Sequence, residues 1–193
     1  MKNLFNLFAV CLMLSAGVAV AQEKQANIVV HIDSVEYSNP IRLWHPYYDY
    51  WYFQGPMFEE VAISTLNQTY SETTMCEAAQ YGKVLLWLKP KMFYNPQVQI
   101  YYGKVTANAY TGMGEHFATY EAESGVWGVF NQQTETRIRQ SYTQAMDGLI
   151  EKLKADSSFQ SKLDIGAANT KSASTPCSMI TLLPTTRIRA MPF

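Results

Sequence analysis

Lys83-Val84-Leu85-Leu86-Trp87-Leu88-Lys89 most limits how this chain can fold. Its five consecutive apolar residues stand between two lysines, with Gly82 before them and Pro90 after. A run this short, without the in–out alternation of a strand that has one wet face, reads as a strand covered on both sides. It therefore predicts a central strand.

The flanking patterns supply partners for it. Residues 26–35 alternate, with Ile28, Val30 and Ile32 on one face and Val29, His31 and Asp33 on the other, so they predict a strand that Ser38-Asn39-Pro40 ends. Residues 57–70 place Phe58, Val61, Ala62, Thr65, Leu66 and Tyr70 at helical spacing. Pro56 suits the first helical position there, and Glu59 and Glu60 suit the positive end of the dipole. After the Asn95-Pro96 turn, residues 97–110 and 116–130 form a hairpin around Gly112-Met113-Gly114, with Ala118, Tyr120, Ala122, Val126 and Phe130 sharing a face. Gly103, Gly125 and Gly128 suggest bulges or bends. Residues 135–154 predict a second helix, its stripe made of Ile138, Tyr142, Ala145, Met146, Leu149, Ile150 and Leu153, with Thr134 as its cap. Periodicity fades after Asp156. Residues 166–175 are small and polar, as in a linker, and residues 179–183 could add an edge strand.

The expected fold is α+β: an antiparallel or mixed sheet of about four strands with two helices on one face, in strand–helix–strand–strand–helix order. The expected division is a leader at 1–21, a single domain at 22–156, and a flexible linker and tail at 157–193.

The leader reading rests on Lys2, on the apolar stretch from Leu4 to Leu14, and on Ala19-Val20-Ala21 before Gln22. It predicts export to the periplasm with cleavage after Ala21. Phe8-Ala9-Val10 before Cys11 is not a lipidation signal. No later apolar run is long enough to cross a bilayer. Cleavage leaves Cys76 and Cys177, and an exported chain with one pair is expected to oxidise it. Such a bridge closes about 100 residues, worth at most about 4.7 kcal/mol by chain entropy. The alternative is two separate thiols.

Composition excludes some classes of partner. With 48% hydrophobic, 13% aromatic and 16% charged residues and a net charge of −1, the chain is globular and lacks the basic surplus that nucleic acid requires. Arg137 with Arg139 and Arg187 with Arg189 are two small pairs rather than a patch.

Motifs for chemistry are missing. His31, His45 and His116 are not spaced as metal ligands, and no nucleophile elbow, Cys-x-x-Cys, Walker or dinucleotide fingerprint occurs. No metal or cofactor is expected. Glu115-His116 reads as turn residues and Glu59-Glu60 as a helix start. Glu121 and Glu123 lie about 7 Å apart on one strand face, a spacing that superficially suits a glycosidase pair. An ordinary solvated face is the simpler reading, so a non-enzyme is expected, with an envelope hydrolase as the residual alternative.

The feature above background is Trp44-His45-Pro46-Tyr47-Tyr48-Asp49-Tyr50-Trp51-Tyr52-Phe53, with seven Phe, Tyr or Trp rings in ten residues. Such rings can anchor a protein partner, stack on a sugar or sit at a lipid interface. Alternatively, Trp44, Tyr48 and Trp51 fold back as a lid on the core. Trp44, Tyr47, Tyr48, Tyr50, Trp51 and Tyr52 are the candidate contact residues. Trp44 and Trp51 are expected to wall the core or a pocket, and Tyr47, Tyr50 and Tyr52 to face outward.

The element order, carried by residues 84–88, the 97–130 hairpin and the 138–153 helix, resembles the small α+β domain of Gram-negative envelope proteins. Examples are transport-auxiliary lipoproteins, the curli-secretion lipoprotein family and activators of penicillin-binding proteins. The resemblance is topological and covers residues 28–154. It transfers no functional residue, and the lipidated cysteine of those proteins has no counterpart here. It implies a non-catalytic periplasmic accessory protein that binds an envelope partner or itself as a homo-oligomer. The alternative is a soluble binder of a glycan or lipid.

Overall fold

The computed structural model describes residues 26–77, 80, 82–165, 177 and 180. In chain order these form β1 (Ala26–Ile32), α1 (Ser34–Ser38), β2 (Pro40–Trp44), β3 (Asp49–Phe53), α2 (Gln54–Thr69) and β4 (Thr73–Met75). They continue with β5 (Gly82–Asn95), β6 (Ile100–Thr111), β7 (His116–Trp127), α3 (Thr134–Ala155) and α4 (Ser157–Ile165). The leader, the 166–175 linker and, apart from Ile180, the 179–183 edge strand lie outside the described residues.

The main sheet is mixed, in the order β4-β1-β5-β6-β7. β1 pairs in parallel with both β4 and β5, whereas β5–β6 and β6–β7 are antiparallel. Parallel β1 and β5 need a crossover, and α2 supplies it. The class is α+β as expected, but the strand count and order differ. Thr73–Met75 adds a short edge strand, and the aromatic block forms a separate two-stranded ribbon, β2–β3.

One sheet face carries the principal core. Ile28, Val30, Val84, Leu86, Leu88, Val105 and Ala107 pack with Phe58, Ala62 and Leu66 of α2 and with Ile138, Tyr142, Met146 and Leu149 of α3. Each large side chain buried there contributes roughly 1.5–3 kcal/mol. The opposite face holds a second, smaller cluster of Ala26, Val29, Leu85, Trp87 and Tyr110. Residues 84–88 thus have both faces covered, which is why they show no alternation.

Several local expectations are corrected. β5 does not stop at Pro90 but runs to Asn95, because its β1 neighbour ends at Ile32, opposite Leu88. On that side Pro90 has no ladder to supply. β1 ends before Asp33, whose carboxylate accepts from Val35 N–H at 2.9 Å and caps α1. Gly103 is not a bulge; it is a close approach, since a Cβ there would lie 2.7 Å from Ser141 Oγ on α3. The register shift of the hairpin falls at Ala109/Tyr110 instead. Structure also continues past Asp156, because α4 seats a fully buried Phe159 on the core. No helix among the described residues is long and apolar enough to cross a membrane.

Candidate functional site

The β2–β3 register pairs Ile41 with Tyr52, Arg42 with Trp51, Leu43 with Tyr50 and Trp44 with Asp49. Alternation then divides the rings between two faces. Leu43 and Tyr52 point into the core, and half-buried Tyr50 sets its ring edge-on to Phe130 at 5.8 Å. Trp44, Trp51 and Phe53 point outward, 54%, 59% and 56% exposed.

The expected split is therefore reversed for four of the rings. Trp44 and Trp51 face solvent, Tyr52 is 6% exposed and Tyr50 is partly buried. Tyr47 is outward as expected. The reason is register, which places Tyr52 on the same face as Leu43. A phenol can be buried there because its hydroxyl lies 3.3 Å from that of Tyr142. Tyr142 in turn donates to Gln54 Oε1 at 3.0 Å, and Gln54 Nε2 donates to Glu36 Oε2 at 2.6 Å. Burial pushes both phenols well above the ordinary tyrosine range.

The turn of the ribbon is pinned from below. His45 stacks on Phe130 and on Tyr48, with ring centroids 5.1 Å apart in each case, and its Nδ1 accepts from the Tyr47 N–H at 3.2 Å. Tyr47 and Tyr48 are left 83% and 61% exposed. Arg42 reaches across the outward face to Asp49, with Nε 2.7 Å from Oδ1. The result is a fixed ridge of rings around one ion pair.

A second aromatic group was not foreseen. On the outer sheet face Phe93 and Tyr102 sit opposite each other on β5 and β6, stacked at 6.2 Å and 22°, with exposed Trp127 on β7. Lys91 and Phe93 share one face of β5, a signal readable only once the strand is allowed to pass Pro90.

The remaining candidates are held in ordinary contacts. Lys104 Nζ lies 3.0 Å from a carboxylate oxygen of both Glu121 and Glu123. Its hydrogen bond holds the Glu121 carboxyl below the usual range, which suits a permanent anion rather than a general acid. His31 meets Trp87 edge-on at 5.3 Å, and burial lowers its pKa. His116 Nε2 is 3.0 Å from Thr119 Oγ1. Among the described residues, no group of three or more His, Cys, Asp or Glu could hold a metal ion. An open depression of about 560 Å³ beside α2 is lined by Tyr37, Glu59, Ile63 and Met75, among others. Cys76 and Cys177 come together as a disulfide-capable pair, with Cα atoms 5.4 Å apart. No protein-family model matches this chain, and no curated protein is significantly similar to it.

Proposed function

We propose that this is an exported, non-catalytic periplasmic protein that works by binding, as an accessory subunit or partner of an envelope assembly or transport machine. Its contact surface is the outward face of the β2–β3 ribbon: Trp44, Trp51 and Phe53, with Tyr47 and Tyr48 at the turn. The observation that carries this reading is the exposure of five large rings on one small two-stranded element. Leaving them in water is unfavourable unless a partner covers them. Trp, Tyr and Arg are also the residues that dominate protein interfaces, and Arg42 stands among these rings. The leader-like first 21 residues and the resemblance to small envelope domains support the location. In the oxidising periplasm Cys76 and Cys177 form a disulfide.

The test is affinity capture of an envelope partner by the wild-type protein and by Trp51→Ala, each checked for an unchanged melting temperature. Capture lost in the variant supports the ribbon as the contact surface.

One observation favours a second reading, a glycan ligand. The stacked Phe93–Tyr102 pair and Trp127 offer flat ring faces beside Lys91, Lys104 and Glu123. Native mass spectrometry of the exported protein separates the two readings, since a bound saccharide shifts the mass of the single chain.

A further inference from the structure

The ribbon register sets three outward rings in a diagonal row. Arg42 pairs with Trp51 and Trp44 with Asp49, so Trp44 and Trp51 are diagonal neighbours, about 7–8 Å apart at their attachment points. Phe53 follows Trp51 two residues on along the same face, roughly 7 Å away. Carbon atoms in contact lie about 3.5–4.0 Å apart, so each interval admits one flat aliphatic ring touched on both sides. All three rings are exposed, and among the described residues none of them stacks on another ring.

The polar groups beside these rings are mostly donors. The indole N–H groups of Trp44 and Trp51 meet no acceptor among the described residues. The ribbon's one carboxylate, Asp49, is engaged by Arg42 through both Nε and Nη2. That ion pair leaves the face without net charge. A complementary segment is therefore uncharged, offers carbonyl acceptors, carries few N–H donors and presents flat aliphatic rings. Proline meets each requirement, having a ring and a carbonyl but no N–H. Successive prolines hold polyproline II, whose carbonyls have no internal partner and whose preformed shape loses little entropy on docking. The other occupants fit less well. A second copy of the ribbon sets donors against donors, and an anionic lipid surface finds the guanidinium already neutralised.

We propose that the segment received by this face is a proline-rich stretch of the partner protein in polyproline II conformation, seated between Trp44, Trp51 and Phe53. The inference rests on the ribbon being the contact surface and adds the chemistry of what it contacts.

The probe is an acetylated, amidated proline decamer titrated into the nitrogen-15-labelled full chain. Each of the four tryptophans gives one indole N–H cross-peak. The decamer should shift the Trp44 and Trp51 peaks saturably, with a Kd below about 1 mM, and leave those of Trp87 and Trp127 in place. Trp51→Ala should weaken binding by roughly 30-fold if its ring is a hot spot. Met113→Ala, at an exposed turn residue far along the chain, should bind like wild type. A glycine–serine decamer, equally uncharged but flexible and rich in N–H donors, should give no saturable shift. No movement at millimolar proline decamer, equal binding of the glycine–serine decamer, or movement of Trp127 alone would overturn the proline-rich occupant. Shifts of the ribbon peaks by phosphatidylglycerol vesicles but not by the decamer would overturn it in favour of a lipid surface. Capture of the envelope partner tells these failures from failure of the ribbon reading. Capture lost in a folded Trp51→Ala protein would uphold the ribbon even without the proline-rich segment, whereas full capture would end both.

Discussion

Tyr52 and Tyr142 meet hydroxyl to hydroxyl at 3.3 Å across 90 residues of chain, fastening the ribbon to α3 through the core. Because Tyr142 donates to Gln54, Tyr52 must be the donor in the pair. Trp51, one residue earlier, faces water. Adjacent rings thus hold the fold and face the solvent, respectively.

That relationship predicts opposite costs for neighbouring substitutions. Tyr52→Ala empties a buried aromatic site and should cost about 3–5 kcal/mol. Trp51→Ala, which removes an exposed ring, should cost less than about 1 kcal/mol. Urea denaturation of the two variants decides it. A larger loss for Trp51→Ala would mean the ribbon is packed in the other register.

The same pair contributes, with other buried phenols such as Tyr120, to an alkaline limit on stability. Both phenols have pKa values raised by burial, so above the ordinary tyrosine value of about 10 the unfolded chain loses protons that the folded chain keeps. Stability is then complete below pH 10 and falls above it, by about 1.4 kcal/mol per pH unit for each phenol held neutral. Denaturation midpoints measured from pH 8 to 11 should be flat and then decline. Tyr52→Phe should make the decline shallower, and an equal slope in that variant would show that Tyr52 is not held neutral.

The frame was legible where periodicity and burial agree. The unbroken run at 84–88 marks a strand covered on both faces, and the Ile138-to-Leu153 stripe marks α3 almost to its ends. The ribbon was not, because hydrophobicity alone ranks Trp as the inward residue. Only the pairing of Leu43 with Tyr50 and Ile41 with Tyr52 reveals that the tryptophans point out. Phe159 and Leu163, one turn apart, announce α4 with a single repeat, too little for a periodic signal. The outer aromatic strip was hidden by treating Pro90 as a strand end, although the neighbouring strand had already finished there.

Gly103 should resist enlargement. β6, β7 and α3 meet at Gly103, Ser124 and Ser141, where the two serine hydroxyls lie 2.7 Å apart. A methyl group at Gly103 would press on the Ser141 hydroxyl and backbone. Gly103→Ala should therefore destabilise by about 1–3 kcal/mol through overpacking. Gly125, whose added Cβ would meet only ordinary contacts at 3.4–3.7 Å, is the control and should tolerate Ala far better. Equal melting temperatures for the two variants would show that the β6–α3 seam can yield.

Lys104 should govern the carboxylates rather than the fold. In Lys104→Ala the Glu121 carboxyl should titrate higher, because the hydrogen bond that favours its anion is gone. Stability should change by no more than about 1 kcal/mol, as for an exposed ion pair. Side-chain NMR titration reads the first effect. A Glu121 pKa that does not move would place its control elsewhere.

The most direct test is paired melting and partner capture for Trp44→Ala/Trp51→Ala, against Phe93→Ala/Trp127→Ala as a surface control. The outward ribbon face as contact surface predicts that both variants melt like wild type. It also predicts that only the ribbon variant loses its partner, by about 2 kcal/mol or more if these rings are hot spots. Full capture by a folded Trp44→Ala/Trp51→Ala protein would contradict the account.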